Sequence, residues 1–277
     1  MVQKPVLETQ PPWRKLLYVK QGYPDNYVDD SFLELMQRNV NVRTHFYWPV
    51  VLRTCSVSQH ISAIVVFVAV FSHLCAGALA ANTLLAIDVI TAGAAYVCWD
   101  TLAVVPPKRG RQRLQIAQRA TLILVTLVGL TPVLQTLTKA ISSDTIWALS
   151  AILFLANVAF HDYGSKHIVK VRFPDSLSIN AAIFASVLLA SRLPSHAHVL
   201  GLMLFAVLMF VLLPAIRRML RNVSITADIT ILAVLVSLSA LLFSTISMSL
   251  VTMYLLSIVF VNLICPYWLI HAQKYKR

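Results

Sequence analysis

Long uncharged stretches separated by short polar segments make up most of the chain. Six of them contain no Asp, Glu, Lys or Arg: residues 54–87, 120–138, 145–161, 176–191, 193–216 and 229–273. An ionised side chain at the centre of a bilayer costs several kcal/mol, and a helix needs about 20 apolar residues to cross a hydrocarbon core about 30 Å thick. The pattern therefore predicts membrane-spanning helices.

About eight helices fit this pattern. The first stretch breaks at Ala76-Gly77-Ala78, which predicts two helices, near residues 55–75 and 80–99. The last stretch has 45 residues; a straight helix of that length would be roughly twice the core thickness, so we expect a turn near residues 244–247. Ser142-Ser143-Asp144 is a cap candidate for the fourth helix. The predicted fold class is all-α, a polytopic helical membrane protein.

The basic residues predict the orientation of these helices. An eight-helix topology places 21 of the 23 Lys and Arg residues on the side that holds both termini, and leaves only Lys139 and Arg192 on the other. Short cytosolic loops carry an excess of Lys and Arg. Both termini are therefore predicted to be cytosolic. The net charge of +12 then reflects topology, and we expect no nucleic-acid partner.

The composition agrees with this class, and the polar ends define the remaining domains. Apolar residues make up 58% of the chain, charged residues 12%, and the mean hydropathy is +0.74. We expect a cytosolic N-terminal arm at residues 1–48, a transmembrane bundle at 49–271 and a cytosolic basic tail at 272–277. In the arm, Ser31-Phe-Leu-Glu34 matches a capping box and predicts a short amphipathic helix from Phe32 to about Val42. Pro24-Asp25-Asn26 is typical of a turn.

No catalytic motif is found in the sequence. It contains no DxD, HExxH, GxSxG, GxxxxGK[ST] or GxGxxG pattern, so neither a metal-dependent active site, a nucleophile elbow nor a phosphate-binding loop is indicated. The four cysteines and eight histidines lack the spacing of metal ligands. We predict no catalytic residues, no metal and no cofactor in this chain.

Asp88 is the most conspicuous polar residue of the predicted spans. A carboxylate inside the membrane is by default a candidate for proton or ion coupling, which would suit a transporter or a lipid scramblase. The alternative is a structural carboxyl that is protonated, or hydrogen-bonded to Gln59, His60 or Asn180 on neighbouring helices. We favour the structural role, because no further intramembrane charges and no internal repeat accompany Asp88.

The fifth predicted helix carries small side chains at intervals of four residues. Such a stripe allows close approach of another helix, either of this chain or of a partner subunit. The helix-packing candidates are Ser178, Ala182, Ser186 and Ala190.

Several stretches along the chain resemble one family of membrane proteins. They are Tyr23-Pro-Asp-Asn-Tyr-Val-Asp29, Thr131-Pro-Val-Leu-Gln-Thr-Leu-Thr138, Ser143-Asp-Thr-Ile146, Asp162-Tyr163, and the run from Ser176-Leu-Ser-Ile-Asn180 through Ala190-Ser-Arg-Leu-Pro-Ser195. In these stretches the chain resembles the PIG-C family, the C subunit of the phosphatidylinositol N-acetylglucosaminyltransferase complex.

The resemblance implies a multi-pass protein of the endoplasmic reticulum membrane. Its complex transfers N-acetylglucosamine from UDP-N-acetylglucosamine to phosphatidylinositol on the cytosolic face, the first step of glycosylphosphatidylinositol (GPI) anchor biosynthesis. The sugar-nucleotide site belongs to a separate glycosyltransferase subunit, so this chain would be a non-catalytic scaffold. Its implied partners are that catalytic subunit, other small membrane subunits and phosphatidylinositol. The implied partner or lipid interaction residues are Pro24, Asp25, Asn26, Tyr27, Asp162, Tyr163 and Asn180.

Overall fold

A computed structural model describes residues 14, 16, 18–24, 26–27, 45–102, 109–136, 140–163 and 175–275. The described residues form helices, turns and irregular segments, with no strand among them. The chain divides into two compact units, Met1–Thr44 with Ala272–Arg277, and His45–His271. The predicted amphipathic helix at residues 32–42, and Asp25, lie outside the described residues.

The helices follow one another with short connections. They are α1 Tyr47–Cys75, α2 Ala81–Leu102, α3 Arg109–Thr136, α4 Ser143–Phe160, α5 Asp175–Ala190, α6 His196–Val207, α7 Leu213–Val223, α8 Ile225–Ser244, α9 Met248–Val259 and α10 Cys265–Lys274.

Two of the transmembrane segments contain a π-helical turn. Leu208–Leu212 joins α6 to α7, and Phe260–Ile264 joins α9 to α10. Each turn ends two residues before a proline, Pro214 or Pro266. A proline lacks the backbone N–H and its ring collides with the carbonyl four residues earlier, so the wider turn lets the helix continue past it.

An all-α polytopic membrane protein is confirmed. Within the described ranges, seven helical segments are long and apolar enough to cross a membrane, counting α6–α7 and α9–α10 as one segment each. Helix α5 is also apolar but has only 16 residues, which corresponds to about 24 Å. With α5 included, the apolar segments match the predicted number of helices.

Interhelical contacts give the direction of each segment. Along α1 and α8, Gln59 meets Asp228 and His73 meets Thr245, so these two helices run in the same direction. Contacts that place α4, α6–α7 and α9 antiparallel to α1 join His60 to Asn157, Phe71 to Trp147, Gln59 to Arg217, Phe67 to Phe205, Thr54 to Asn262 and Ser62 to Tyr254. The bundle therefore begins and ends on the same side.

The helix ends differ from the predicted ones in a consistent way. Helix α1 begins at Tyr47 instead of near residue 55, α3 begins at Arg109 instead of 120, and α7 ends at Val223 instead of 216. Uncharged stretches mark the hydrocarbon core, whereas helical hydrogen bonding continues into the interface, where Lys and Arg extend their charged ends to water. The cap prediction is confirmed, because the Ser142 hydroxyl accepts a hydrogen bond from the Thr145 amide at 3.3 Å.

Helix α1 lies at the centre of the bundle and carries much of its aromatic core. The ring of Phe67 lies 5.2 Å from that of Phe210 and 5.8 Å from that of Phe154, and Phe71 contacts Trp147 at 5.4 Å. In a bilayer the lipid tails are as apolar as these side chains. The cluster therefore stabilises the bundle through van der Waals packing instead of removal of surface from water.

Small residues allow close helix packing at two places. An added Cβ at Gly201 of α6 would lie 3.3 Å from Leu84 of α2, so this approach requires a glycine or some displacement of that leucine. Helix α5 packs between α4 and α6. Its stripe is fully buried, at Ser178, Ala182, Ser186 and Ala190.

Candidate functional site

Many of the buried polar side chains gather on one side of the bundle, where α1 begins and α4 ends. We call this the basic side, because α7 brings Arg217, Arg218 and Arg221 there. The positive-inside rule predicts it to be cytosolic. The buried polar residues on this side are Ser56, Ser58, Gln59, His60, Asn157, Ser178, Arg217 and Asp228.

One group of contacts joins α1, α7 and α8. The Gln59 amide donates to the Asp228 carboxylate at 2.9 Å and to the Asp228 carbonyl at 2.6 Å. Arg217 Nη1 donates to Gln59 Oε1 at 3.1 Å. Arg221 donates to the Ser56 hydroxyl and lies 3.8 Å from the Asp228 carboxylate. Because Arg217 and Arg221 are four residues apart, both reach the same face of α7.

This group has more positive than negative charge. Arg217 is only 7% exposed, and its Nε has no hydrogen-bond partner among the described residues. Two arginines share the single carboxylate of Asp228. Arg217 also interacts electrostatically with His60 and Tyr163. The described part of the basic side therefore holds a positive charge that Asp228 does not fully balance.

A second group joins α1, α4 and α5. His60 Nε2 lies 2.7 Å from Asn157 Oδ1. The Asn157 amide donates to the backbone carbonyl and to the hydroxyl of Ser178, both at 2.9 Å. The ring of His161 stacks on that of His60 at 4.2 Å. Asn157 thus connects three helices that have no common loop.

Tyr163 completes this second group at the end of α4. Its ring meets that of His161 edge-on at 4.9 Å, and its hydroxyl donates to the Val158 carbonyl at 3.0 Å. Burial raises the pKa of the Tyr163 phenol above its ordinary value, and the nearby Arg217 opposes this shift only in part. The phenol therefore stays neutral and remains a hydrogen-bond donor at physiological pH.

A third set of contacts holds the last segment against α1. The Asn262 amide, in the π-helical turn, donates to the Ser58 hydroxyl at 2.7 Å. One level deeper, the hydroxyls of Ser62 and Tyr254 are 2.7 Å apart. Polar residues of α1 thus serve as attachment points for several other helices.

The residues implied by the resemblance fall at different places. Asp162 and Tyr163 are half-buried beside the polar groups just described, whereas Asn180 is on the exposed face of α5. In the N-terminal unit, the Tyr27 amide donates to the Pro24 carbonyl at 2.9 Å, which confirms the predicted turn. Pro24, Asn26 and Tyr27 are exposed there.

The polar partners predicted for Asp88 are wrong. Asp88 is 3% exposed, and neither carboxyl oxygen has a hydrogen-bond partner among the described residues. Gln59 instead bonds Asp228 and His60 bonds Asn157, because these partners on adjacent helices face them directly. Asn180 is exposed on α5.

Replacement of Asp88 by leucine is expected to raise the free energy of unfolding by about 1–3 kcal/mol, because it removes a buried polar group without breaking a hydrogen bond. Thermal stability of the detergent-solubilised protein would measure this. Asp228→Leu is the matched control and should lower stability, since that carboxylate is bonded. A folded Asp88→Leu protein that loses function would instead favour the transporter or scramblase alternative.

The sequence analysis missed Gln59, Arg217 and Asp228 as a group. Gln59 and His60 are adjacent polar residues inside an otherwise apolar helix, and this was the available signal for α1. Arg217 and Arg221 were counted only as topology signals, although their four-residue spacing indicates a common face. Within the described residues, no group of three or more His, Cys, Asp or Glu side chains is placed to hold a metal ion.

The apolar helices and their internally paired polar side chains define a polytopic membrane protein in which buried polar residues hold helices together. Comparison with known families identifies it further. The family model described as "GPI2: Phosphatidylinositol N-acetylglucosaminyltransferase" matches residues 13–277. The chain belongs to this family, as the resemblance predicted.

Individual relatives agree over nearly the whole chain. The GPI2 subunit of phosphatidylinositol N-acetylglucosaminyltransferase from Schizosaccharomyces pombe is 38% identical, covering 99% of this chain and 86% of that protein. The C subunit of the transferase of the same name from Rattus norvegicus is 35% identical, over 95% of this chain and 89% of that protein. The Homo sapiens protein is 34% identical, over 100% of this chain and 93% of that protein. No solved structure matches the chain.

Proposed function

We propose that this chain is a non-catalytic membrane scaffold subunit of a complex that transfers N-acetylglucosamine from UDP-N-acetylglucosamine to phosphatidylinositol, the first step of GPI-anchor biosynthesis. Near full-length similarity to proteins named as subunits of that transferase supports it. The observation that carries the scaffold role is the internal pairing of Gln59, Asn157 and Asp228 across helices. Side chains engaged in this way position helices and are poorly suited to act on a substrate.

The proposal includes an orientation and a location. Both termini and the basic side face the cytosol in the endoplasmic reticulum membrane, where the sugar nucleotide is available to a catalytic glycosyltransferase subunit. The distribution of Lys and Arg supports this orientation. The scaffold would hold that subunit, with other small membrane subunits, close to phosphatidylinositol in the same leaflet.

The N-terminal arm is the proposed docking segment for the catalytic subunit. It presents Pro24, Asn26 and Tyr27 on an exposed turn, and the ring of Tyr27 lies 4.4 Å from that of Tyr23. A turn closed by its own hydrogen bond is ordered before it meets a partner, which lowers the entropic cost of association.

The test is purification of the tagged chain from its native membrane in mild detergent, with identification of partners and an assay of N-acetylglucosamine transfer to phosphatidylinositol. Replacing Asp25, Asn26 and Tyr27 together by alanine is expected to release the catalytic subunit and abolish transfer. The matched control replaces Glu8, Thr9 and Gln10, three other polar residues of the arm, and should keep both. A chain that purifies without partners, under conditions that preserve other membrane complexes, would contradict the scaffold function.

A further inference from the structure

An apolar groove runs between α1 and α4 on the membrane-facing surface. Its volume is about 480 Å³, within the range of small-molecule sites. We call it the α1/α4 groove. The residues that line it are Ile61, Ile64, Val65 and Val68 of α1, Trp147, Ser150, Ala151, Phe154, Leu155 and Val158 of α4, and Leu189 of α5.

The groove is long and narrow. Along α4 it extends from Trp147 to Val158, which corresponds to about 16 Å of helix. The mean cross-section is then about 30 Å², whereas an α-helix with its side chains, about 10 Å across, occupies roughly 80 Å². A single hydrocarbon chain is narrower than a helix and fits these dimensions better.

The lining contains one polar residue, Ser150. Its hydroxyl is buried and has no hydrogen-bond partner among the described residues. A serine in a helix can satisfy its hydroxyl by rotating toward the carbonyl four residues earlier, here that of Ile146. The groove therefore does not require a polar occupant at this depth.

The end of the groove on the basic side meets the histidine and tyrosine cluster. Ile61 follows His60 directly in α1, and Val158 follows Asn157 in α4. The carbonyl of Val158 accepts the hydrogen bond from Tyr163. An occupant of the groove would thus have its polar end beside His161 and Tyr163, with the buried positive charge of Arg217 nearby.

From this continuity we propose that the α1/α4 groove binds one anionic glycerophospholipid. An acyl chain lies against α1 and α4, and the phosphate-bearing head group lies beside His161 and Tyr163. The excess positive charge of Arg217 and Arg221 favours an anionic head group over a zwitterionic one. The inference rests on the proposed function in that phosphatidylinositol is the lipid of the complex, and it gives that lipid a place on this subunit.

The experiment uses the intact complex in its native membrane and a phosphatidylinositol probe with a photoreactive group in one acyl chain. Peptide mass spectrometry after irradiation is expected to find labels on the groove residues of α1 and α4. They should exceed labels on the exposed face of α3 by about tenfold. Equal labelling of both surfaces would overturn the proposal, because it would reflect ordinary surrounding lipid.

Two tryptophan variants on α4 provide a matched comparison. Ala151→Trp fills the groove and should reduce labelling about tenfold. Ala148→Trp adds the same ring at an exposed position of the same helix outside the groove, and should leave labelling unchanged. Equal labelling of the two variants would overturn the proposal. So would a photoreactive residue at Ala151 that captures another polypeptide, since a partner helix would then occupy the groove.

The head-group preference is tested with a phosphatidylcholine probe of the same design. We expect stronger labelling by phosphatidylinositol, with this preference lost in Arg217→Met and retained in Arg217→Lys, provided both variants elute as folded protein. Equal labelling of the unmodified chain by the two probes would overturn an anionic site. An intact, active complex without groove labelling would refute this inference alone, whereas a labelled chain without partner subunits would refute only the scaffold function.

Discussion

Substitution of Asp228 by alanine is expected to lower the free energy of unfolding by about 3–5 kcal/mol, because it leaves buried positive charge without its carboxylate. Asp228 is 6% exposed. Its side chain accepts a hydrogen bond from Gln59 and faces Arg221 at 3.8 Å. Arg217 depends on the same carboxylate through Gln59 and has little access to water. Alanine therefore affects contacts of α1, α7 and α8 together.

The measurement is the temperature at which detergent-solubilised protein loses its monodisperse elution peak. A second Asp/Arg pair provides the control. Asp100 accepts a bidentate contact from Arg113, with the closest approach at 2.8 Å. That pair is open to solvent, where an ion pair contributes little because water and salt screen it. Asp100→Ala should leave the melting temperature nearly unchanged.

Asp228→Asn separates the loss of charge from the loss of the hydrogen bond. Asparagine keeps an acceptor for the Gln59 amide but does not neutralise Arg221, so its melting temperature should lie between those of the alanine variant and the unmodified chain. If alanine and asparagine at position 228 both melted like the unmodified protein, the buried charges would have compensation elsewhere, and the stabilising role of this network would be wrong.

The fold was largely predictable because charge is expensive inside a membrane. Uncharged stretches located the spans, and the 45-residue stretch at residues 229–273 was correctly expected to turn; the structure ends α8 at Ser244 and begins α9 at Met248. The helix ends were less predictable. Helical hydrogen bonds do not stop where the hydrocarbon stops, so α1 and α3 begin several residues before their uncharged stretches.

The polar site was not predictable in the same way. Gln59 and Asp228 are 169 positions apart in the chain, and neither periodicity nor charge indicates which helix a buried amide will face. Asp88 drew attention because it carries a charge, yet it lacks a hydrogen-bond partner in the described structure. The connections between helices are made largely by neutral groups, Gln59, His60 and Asn157, which single-sequence patterns do not distinguish from isolated polar residues.

Asn157→Leu is expected to lower the free energy of unfolding by about 2–4 kcal/mol, because leucine leaves polar groups of two neighbouring helices buried without a partner. Asn157 is 1% exposed and binds both His60 and Ser178. The matched control is Asn180→Leu on α5, where the side chain is exposed and stability should not change. The same elution assay after heating measures both variants.

A double-mutant cycle with Ser178→Ala then isolates one contact of Asn157. The two single substitutions should be less than additive, with a coupling of about 1 kcal/mol, near the upper part of the range for hydrogen bonds between membrane helices. Asn180→Leu adds a second reading, because a folded protein that loses its partner subunits would support the interaction role implied for Asn180. Full additivity of Asn157→Leu and Ser178→Ala would mean that α4 and α5 are held by their small-residue packing alone.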